Sequence, residues 1–149
     1  MTLLNLSNLK ELKNSIYNCE ITELPKVNNR AGNITIIENF LHAPFEIKRV
    51  FFLYDIPGGE CRGGHAHRAL QQFIIAASGA FDVKIDDGKN KKIIHLDRPY
   101  IGLHIRPGIW RELISFSSGA ICLVLASELY NEEDYIREYS SFIKFKNEL

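Results

Sequence analysis

The sequence predicts an all-β domain, built as an antiparallel sandwich or barrel, with a short helix at its C-terminal end. Two observations lead to this fold class. Short apolar or alternating runs, separated by turn residues, fill the middle of the chain, a pattern typical of sandwiches and barrels. Helical patterns occur only near the two ends, so nothing supplies the crossover helices that a parallel sheet needs.

The candidate strands follow one another from residue 33 to residue 127. They cover residues 33–39, 48–56, 64–68, 71–78, 80–87, 91–97, 101–105, 111–117 and 120–127. Between them stand pairs such as Ser78-Gly79 and Pro107-Gly108, which supply the positive or preset φ that turns require. Residues 81–96 predict a β-hairpin with Asp87-Gly88 at or near its turn.

Helices are expected at both ends of the chain. Residues 7–17 predict a short helix capped by Ser7. Residues 131–145 predict a second helix, for which Asn131 is the N-cap. Acidic residues fill the first turn of this second helix, where they suit the positive end of the helix dipole.

Size and composition indicate a single domain over residues 1–149. The chain is 46% hydrophobic, enough for a sizeable core, and its 18 basic residues balance its 18 acidic ones. That balance gives no overall field for nucleic acid or an anionic membrane, and no apolar run approaches the roughly 20 residues of a membrane span. The start of the chain lacks the features of a signal peptide. The scattered cysteines, Cys19, Cys61 and Cys122, predict reduced thiols. We therefore expect a cytoplasmic protein.

Two histidines stand side by side in the segment 62–68, RGGHAHR. Residues two apart in a strand face the same side, about 6.5–7 Å from each other, so His65 and His67 should project together while Ala66 points away. Gly63 and Gly64 allow close backbone approach or a local bend just before them. The spacing suggests a metal site, and the alternative is a pair of acid/base groups.

Residues 64–79 resemble the first motif of the cupin superfamily, in which HxH is followed by a glutamate and then by a glycine. Both histidines match this motif, but Gln72 replaces the glutamate, and Arg111 stands where the second cupin motif has a histidine. A neutral amide is a poor ligand for a transition metal, and an arginine offers no lone pair. Its charge would also repel a divalent ion. We expect no metal and no cofactor; weak residual metal binding is the alternative.

Without a metal, two adjacent imidazoles are suited to proton transfer, because histidine titrates near neutrality. A second histidine at this distance can serve another atom of the same small substrate, since a sugar ring spans a similar length. The pair therefore fits a reaction in which hydrogens move between neighbouring carbons or oxygens of one molecule.

Three longer segments, residues 44–73, 102–127 and 130–142, resemble the nucleotide-sugar 3,4-ketoisomerases, cupins that act on dTDP-4-keto-6-deoxyglucose. The resemblance extends from about Asn29 to Phe142. It implies a cupin jelly-roll barrel, a homodimer, and a place in making dTDP-linked sugars for bacterial surface glycans such as the O-antigen of lipopolysaccharide.

The activity that this resemblance implies is a metal-independent isomerisation. The keto group moves from C4 to C3 through an enediol or enediolate, and the two histidines are the catalytic groups. We assign His65 to the carbon atoms and His67 to proton transfer among the oxygens.

The resemblance also implies residues that bind the substrate. Arg30, in the segment NNRAGNI, is the first candidate for the pyrophosphate, because the planar fork of arginine suits phosphate oxygens. Arg49, Arg62 and Arg111 are further candidates, each alternatively a solvated strand-edge residue. Gln72 is a candidate to hydrogen-bond sugar hydroxyls, or else a satisfied core amide.

Two other functions remain open from sequence. One is a 3,5-epimerase of similar substrates, in which a histidine is paired with a tyrosine on the opposite side of the sugar; Tyr54 and Tyr100 are the candidates. The other is a non-catalytic cupin that binds a nucleotide sugar. A binding module has no need of two titratable groups in its pocket, so variants of the histidines separate it from an enzyme.

Overall fold

In a computed structural model, which describes residues 15–148, twelve strands account for most of the regular structure. They are β1 (Ile21–Glu23), β2 (Lys26–Val27), β3 (Ile34–Thr35), β4 (Arg49–Leu53), β5 (Arg62–His67), β6 (Gln72–Ser78), β7 (Phe81–Asp86), β8 (Lys91–Leu96), β9 (Ile101–Ile105), β10 (Trp110–Ile114), β11 (Ile121–Ala126) and β12 (Tyr135–Ile136). One α-helix, α1 (Tyr139–Asn147), follows them.

The strands form two five-stranded antiparallel sheets and one small hairpin. Sheet 1 has the order β1-β9-β6-β11-β4, sheet 2 has the order β12-β5-β10-β7-β8, and β2 pairs with β3. This is the predicted all-β cupin jelly roll with a short C-terminal helix. The expected hairpin is β7–β8: Asp86 lies opposite Lys91, Gly88 has a φ of 91°, and the Asp87 carboxylate accepts backbone N–H bonds inside the turn.

The core lies between the two sheets because alternate residues of each strand point inward. Inward side chains of β6, β7, β9, β10 and β11 fill it, including Ile74, Val83, Leu103, Leu113 and Val124. The outer faces are covered by other segments. Phe45 packs on the outside of sheet 1, and α1 places Phe142 against Ala66 and Trp110 of sheet 2.

Residues 33–39 were predicted as one strand, but only Ile34–Thr35 is extended and paired, with Lys26–Val27. The short partner strands β1, β2 and β12 carry too few residues for an alternating pattern, so the sequence did not predict them. Most of the predicted helix 7–17 lies outside the described residues; within the described part, Ile16–Asn18 form a single 3₁₀ turn.

The C-terminal helix begins later than residues 131–145 predict. Asn131 does cap a turn, accepting the N–H of Glu133, but that turn is a short 3₁₀ segment, Glu132–Asp134. Tyr135 and Ile136 are then extended and pair with β5, and α1 starts only at Tyr139. Strand pairing of these two residues is favoured over a helix because it buries Ile136 beside Ala66 and Phe142. Within residues 15–148 no helix is both long and apolar enough to cross a membrane.

Candidate active site

The two histidines project from β5 into the barrel, as the spacing predicted. Ala66 between them points outward and packs under α1. The imidazole centroids of His65 and His67 are 4.9 Å apart, with the rings nearly perpendicular. Both side chains are buried, so the strand delivers two titratable groups to one small interior space.

Arg111 shares this interior space with the histidines. It lies on β10 directly opposite His65 in the register of the two strands, and its side chain is buried. Its Nε donates a 2.8 Å hydrogen bond to Oε1 of Gln72, which reaches inward from β6. Gln72 and Arg111, which stand where the cupin motifs have metal ligands, are therefore hydrogen-bonded to each other.

Gly63 provides the room that the guanidinium occupies. It has a φ of 71°, and a Cβ built on it would lie 2.2 Å from Nη1 of Arg111. The register between β5 and β10 shifts at this point, as in a β-bulge. A side chain at position 63 would strain the backbone and also collide with the buried cation.

We expect Gly63→Ala to lower the free energy of unfolding by about 1–3 kcal/mol, from the left-handed backbone and the displaced guanidinium. Gly64→Ala is the matched control, because a Cβ there meets Trp110 and Glu112 only at 3.7 and 3.8 Å. Urea unfolding of both variants measures the difference. Equal stability of the two variants would contradict this account of the bend.

The donor set at this position does not fit a cupin metal. Between residues 15 and 148, no group of three or more His, Cys, Asp or Glu side chains is arranged to hold a metal ion. The amide of Gln72 already accepts from Arg111, and the guanidinium is a cation without a lone pair.

Asp134, which lies just before β12, forms a hydrogen bond with His67 of β5. Its Oδ2 lies 3.0 Å from Nδ1 of His67, and the same carboxylate accepts the backbone N–H groups of Ala69 and Leu70. A carboxylate that faces Nδ1 keeps the proton there and leaves the Nε2 lone pair for a substrate. The arrangement favours His67 as a proton acceptor at Nε2.

Tyr135 forms a wall beside both histidines. Its ring centroid is 5.0 Å from that of His65 and 4.3 Å from that of His67. The Tyr135 hydroxyl accepts a long, 3.5 Å hydrogen bond from Nη2 of Arg49. β12 thus adds a tyrosine to the site, and β4 adds an arginine.

An ion pair stands at the edge of this wall. Arg137 donates to both carboxylate oxygens of Glu132, and its guanidinium lies over the Tyr135 ring, 4.2 Å from the centroid. Tyr130 donates its hydroxyl proton to the same carboxylate. These contacts link residues within the 130–137 segment and stabilise its conformation.

Burial and positive charge keep both imidazoles neutral. Desolvation, and then the charge of Arg111, lower the pKa of His65 to about 2. The same two causes lower the pKa of His67, but Asp134 opposes them, and its pKa is about 4. At neutral pH both histidines therefore carry a free lone pair, the form that a base requires.

Several buried polar atoms around this space lack a partner within the described part of the chain. They are Nε2 of His65, Nε2 of His67, Nε2 of Gln72 and Nε of Arg49. Buried polar groups are nearly always hydrogen-bonded. A cluster of unpaired ones in one interior space indicates a polar ligand site.

Arg30 and Arg62 do not join the cluster around the histidines. Arg30 is exposed in the β2–β3 turn. Arg62 is also exposed and lines a cleft of about 480 Å³ with Tyr54 and Glu60. Of the predicted substrate-binding residues, the structure gathers Arg49, Gln72 and Arg111 around His65 and His67.

The sequence did not single out Asp134 and Tyr135 for a role. Both stand in the tail segment DYIREY, which carried the resemblance but was assigned to a helix. The two tyrosines considered for an epimerase lie elsewhere: Tyr54 is exposed, and Tyr100 packs under Lys26 outside the barrel.

Comparison with known proteins identifies the family of this chain. The family model FdtA, described as "WxcM-like, C-terminal", matches residues 17–147. A relative from Aneurinibacillus thermoaerophilus, TDP-4-oxo-6-deoxy-alpha-D-glucose-3,4-oxoisomerase, is 40% identical over 126 residues, which cover 85% of this chain and 91% of the relative.

Solved structures give the same result. WlaRB, a TDP-quinovose 3,4-ketoisomerase from Campylobacter jejuni, is 44% identical with a TM-score of 0.82, over 87% of this chain and 99% of that one. QdtA, a sugar 3,4-ketoisomerase from Thermoanaerobacterium thermosaccharolyticum solved with TDP, is 36% identical with a TM-score of 0.87, over 90% and 98%. The chain therefore belongs to the FdtA (WxcM-like, C-terminal) family, the sugar 3,4-ketoisomerases that its sequence resembles.

Proposed function

We propose that this protein is a 3,4-ketoisomerase that moves the keto group of TDP-4-keto-6-deoxyglucose from C4 to C3. The observation that carries the proposal is the pair of neutral, buried imidazoles, each with an unpartnered Nε2, in a chain 40% identical to an oxoisomerase named for this substrate.

The reaction requires only the movement of protons. The C4 carbonyl acidifies the proton on C3; a base removes it, the C3–H electron pair forms a C3=C4 bond, and O4 takes the negative charge. A proton then reaches O4, the O3 hydroxyl loses its proton, and C4 is protonated as the C3 carbonyl forms. Two acid/base groups beside one sugar are enough, and no external oxidant is consumed.

We assign His65 to the two carbons and His67 to the two oxygens. Asp134 supports this division, because a carboxylate at Nδ1 lets His67 pass between its neutral and charged forms while its Nε2 stays aimed at the substrate. His65 lacks such a partner and has the lower pKa, so the proton that it takes from C3 is readily given up to C4.

Four of the remaining predicted residues, Arg30, Arg49, Arg62 and Gln72, are proposed to bind the substrate. The unpaired Nε of Arg49 and Nε2 of Gln72 are donors inside the barrel, suited to sugar or phosphate oxygens. Arg30 stays our candidate for the pyrophosphate and Arg62 a secondary one, on the strength of arginine's match to phosphate.

We also propose that the protein is a homodimer, as its family resemblance implies. Strand β4 is an edge of sheet 1 and turns Val50 and Phe52 outward; these two side chains and that of Tyr54, which follows the strand, are each more than half exposed. An apolar edge face of this kind is typical of an interface. Sedimentation equilibrium should give twice the mass of the 149-residue chain; a monomer at micromolar concentration would refute the dimer.

We also propose that the protein is cytoplasmic. All three cysteines are free thiols, two of them buried, which suits a reducing compartment.

The test of the function is incubation with TDP-4-keto-6-deoxyglucose, followed by NMR of the product. A ketoisomerase gives a sugar with its carbonyl at C3, while C5 keeps its configuration. Inversion at C3 and C5 with the carbonyl still at C4 would instead establish a 3,5-epimerase. Tight TDP binding with an unchanged sugar would establish a binding module.

A further inference from the structure

The charge of Arg111 has no counter-ion in the barrel. Across residues 15–148, its partner is the neutral Gln72 amide, and no carboxylate lies within ion-pair distance of it. The side chain is only 2% exposed. A buried cation without an anion is costly in free energy, and structural cations are normally paired.

The surrounding fold is shaped to keep that cation in place. Gly63 adopts a left-handed φ of 71°, and any Cβ there would lie 2.2 Å from Nη1 of Arg111. The same point is 3.7 Å from Cε1 of His65, so guanidinium and imidazole are neighbours across the bend. Three observations indicate that an unneutralised positive charge is part of the site. They are the bend at Gly63, the hydrogen bond from Arg111 to Gln72, and the lack of a carboxylate near Arg111 among the described residues.

The anion that could balance this charge is one that the reaction creates. On removal of the C3 proton, the substrate becomes an enediolate with a full negative charge beside the histidines. In a site shielded from water, a fixed charge that stabilises the opposite charge developing in the transition state is a major source of catalysis. The free enzyme holds the cation uncompensated, so its stabilising effect is greatest after the proton has left C3.

We propose that Arg111 performs the electrostatic work that the metal performs in metal-binding cupins: its fixed positive charge stabilises the enediolate that forms beside the histidines. The same charge disfavours protonation of both imidazoles before the proton leaves C3. The inference rests on the proposed ketoisomerase function. Arg111 acts through the field of its charge, from its place beside the imidazoles. The same residue, Arg111, then explains both why the site does not fit a metal and where its positive charge comes from.

Other charged groups also face the two imidazoles, and their effects must be separated from that of Arg111. From β4, β10 and the 132–137 segment these groups are Arg49, Arg111, Glu132, Asp134, Tyr135 and Arg137. Glu132 and Arg137 neutralise each other, and Asp134 acts on His67 alone among the histidines. Arg111 is the largest Coulombic cause of the lowered pKa of both His65 and His67.

The experiment compares Arg111→Met, which removes the charge, with Arg111→Lys, which keeps it. We expect Arg111→Met to lower kcat by about 10²–10³-fold with TDP affinity unchanged, and to slow deuterium exchange at C3 equally. Removing the cation raises the pKa of the histidines, so the acid limb of kcat/KM should move to higher pH. Arg111→Lys should keep the acid limb in place and retain more of kcat.

NMR titration of the histidine Cε1 protons without substrate supplies a second readout. In the wild-type protein both midpoints should fall well below the ordinary value of about 6.5, and in Arg111→Met both should rise. Unchanged midpoints and an unchanged acid limb in Arg111→Met would overturn the inference. If that variant does not fold, wild-type midpoints near the ordinary value would overturn it equally. Loss of the proposed function would appear separately, as a wild-type protein that does not isomerise the sugar.

Discussion

Replacing either histidine by asparagine should abolish most of the turnover while TDP still binds. We expect His65→Asn and His67→Asn each to lower kcat by about 10²–10⁴-fold, because each removes a group that gives or takes a proton in the transition state. Asparagine keeps a polar amide of similar size in the barrel, so the fold should survive. Turnover by product NMR and TDP affinity by calorimetry are the two measurements.

The control is His95→Asn, since His95 is an exposed histidine of β8 paired with Asp82. It should leave turnover within about twofold. The two site variants should also differ from each other. His65→Asn should stop deuterium exchange at C3, whereas His67→Asn should slow isomerisation more than exchange. The reverse order would exchange the roles assigned to the two residues. Loss of TDP binding with no specific loss of kcat would favour the binding module.

Asp134→Asn should have the second largest effect, although Asp134 need not contact the sugar. An amide at this position can present its N–H to Nδ1 of His67, which reverses the tautomer and places the proton on Nε2. We expect kcat to fall by about 10²-fold with little change in KM. Because Asp134 raises the pKa of His67, its loss also moves that pKa further down, so the acid limb of kcat/KM should not move up.

Glu133→Gln is the matched control for Asp134→Asn. It removes a neighbouring carboxylate that is exposed and whose loss leaves His67 untouched. A merely structural role for Asp134 predicts a lower melting temperature with normal kcat in the folded protein. Normal kcat, or an acid limb that rises in pH, would contradict the positioning role.

The strands and the central pair of the site could be predicted because their signals are local. Alternation and turn residues located the β7–β8 hairpin, and the two-residue spacing placed His65 and His67 on one inward face. The poor fit of the site to a metal also followed from residue type, since the Gln72 amide is a poor ligand and the Arg111 guanidinium has no lone pair.

What the sequence could not supply depends on tertiary pairing. Residues 131–138 carry good helix-start signals, yet Tyr135 and Ile136 are extended because β5 offers them a partner strand. That pairing delivers Asp134 and Tyr135 to the histidines from a position about 70 residues away in sequence. The glycine pair did indicate a close approach or a bend before the histidines, but nothing in the sequence identified the Arg111 side chain of β10 as the group that approaches Gly63.

The central claim is that two imidazoles move protons within one sugar, supported by the fixed charge of a guanidinium and without a bound metal. The most direct test is turnover of TDP-4-keto-6-deoxyglucose by protein exhaustively dialysed against a chelator, with C3-protiated and C3-deuterated substrate compared. We predict unchanged turnover after dialysis and a slower reaction of the deuterated sugar. Activity that disappears on chelation and returns with a divalent cation would contradict the account.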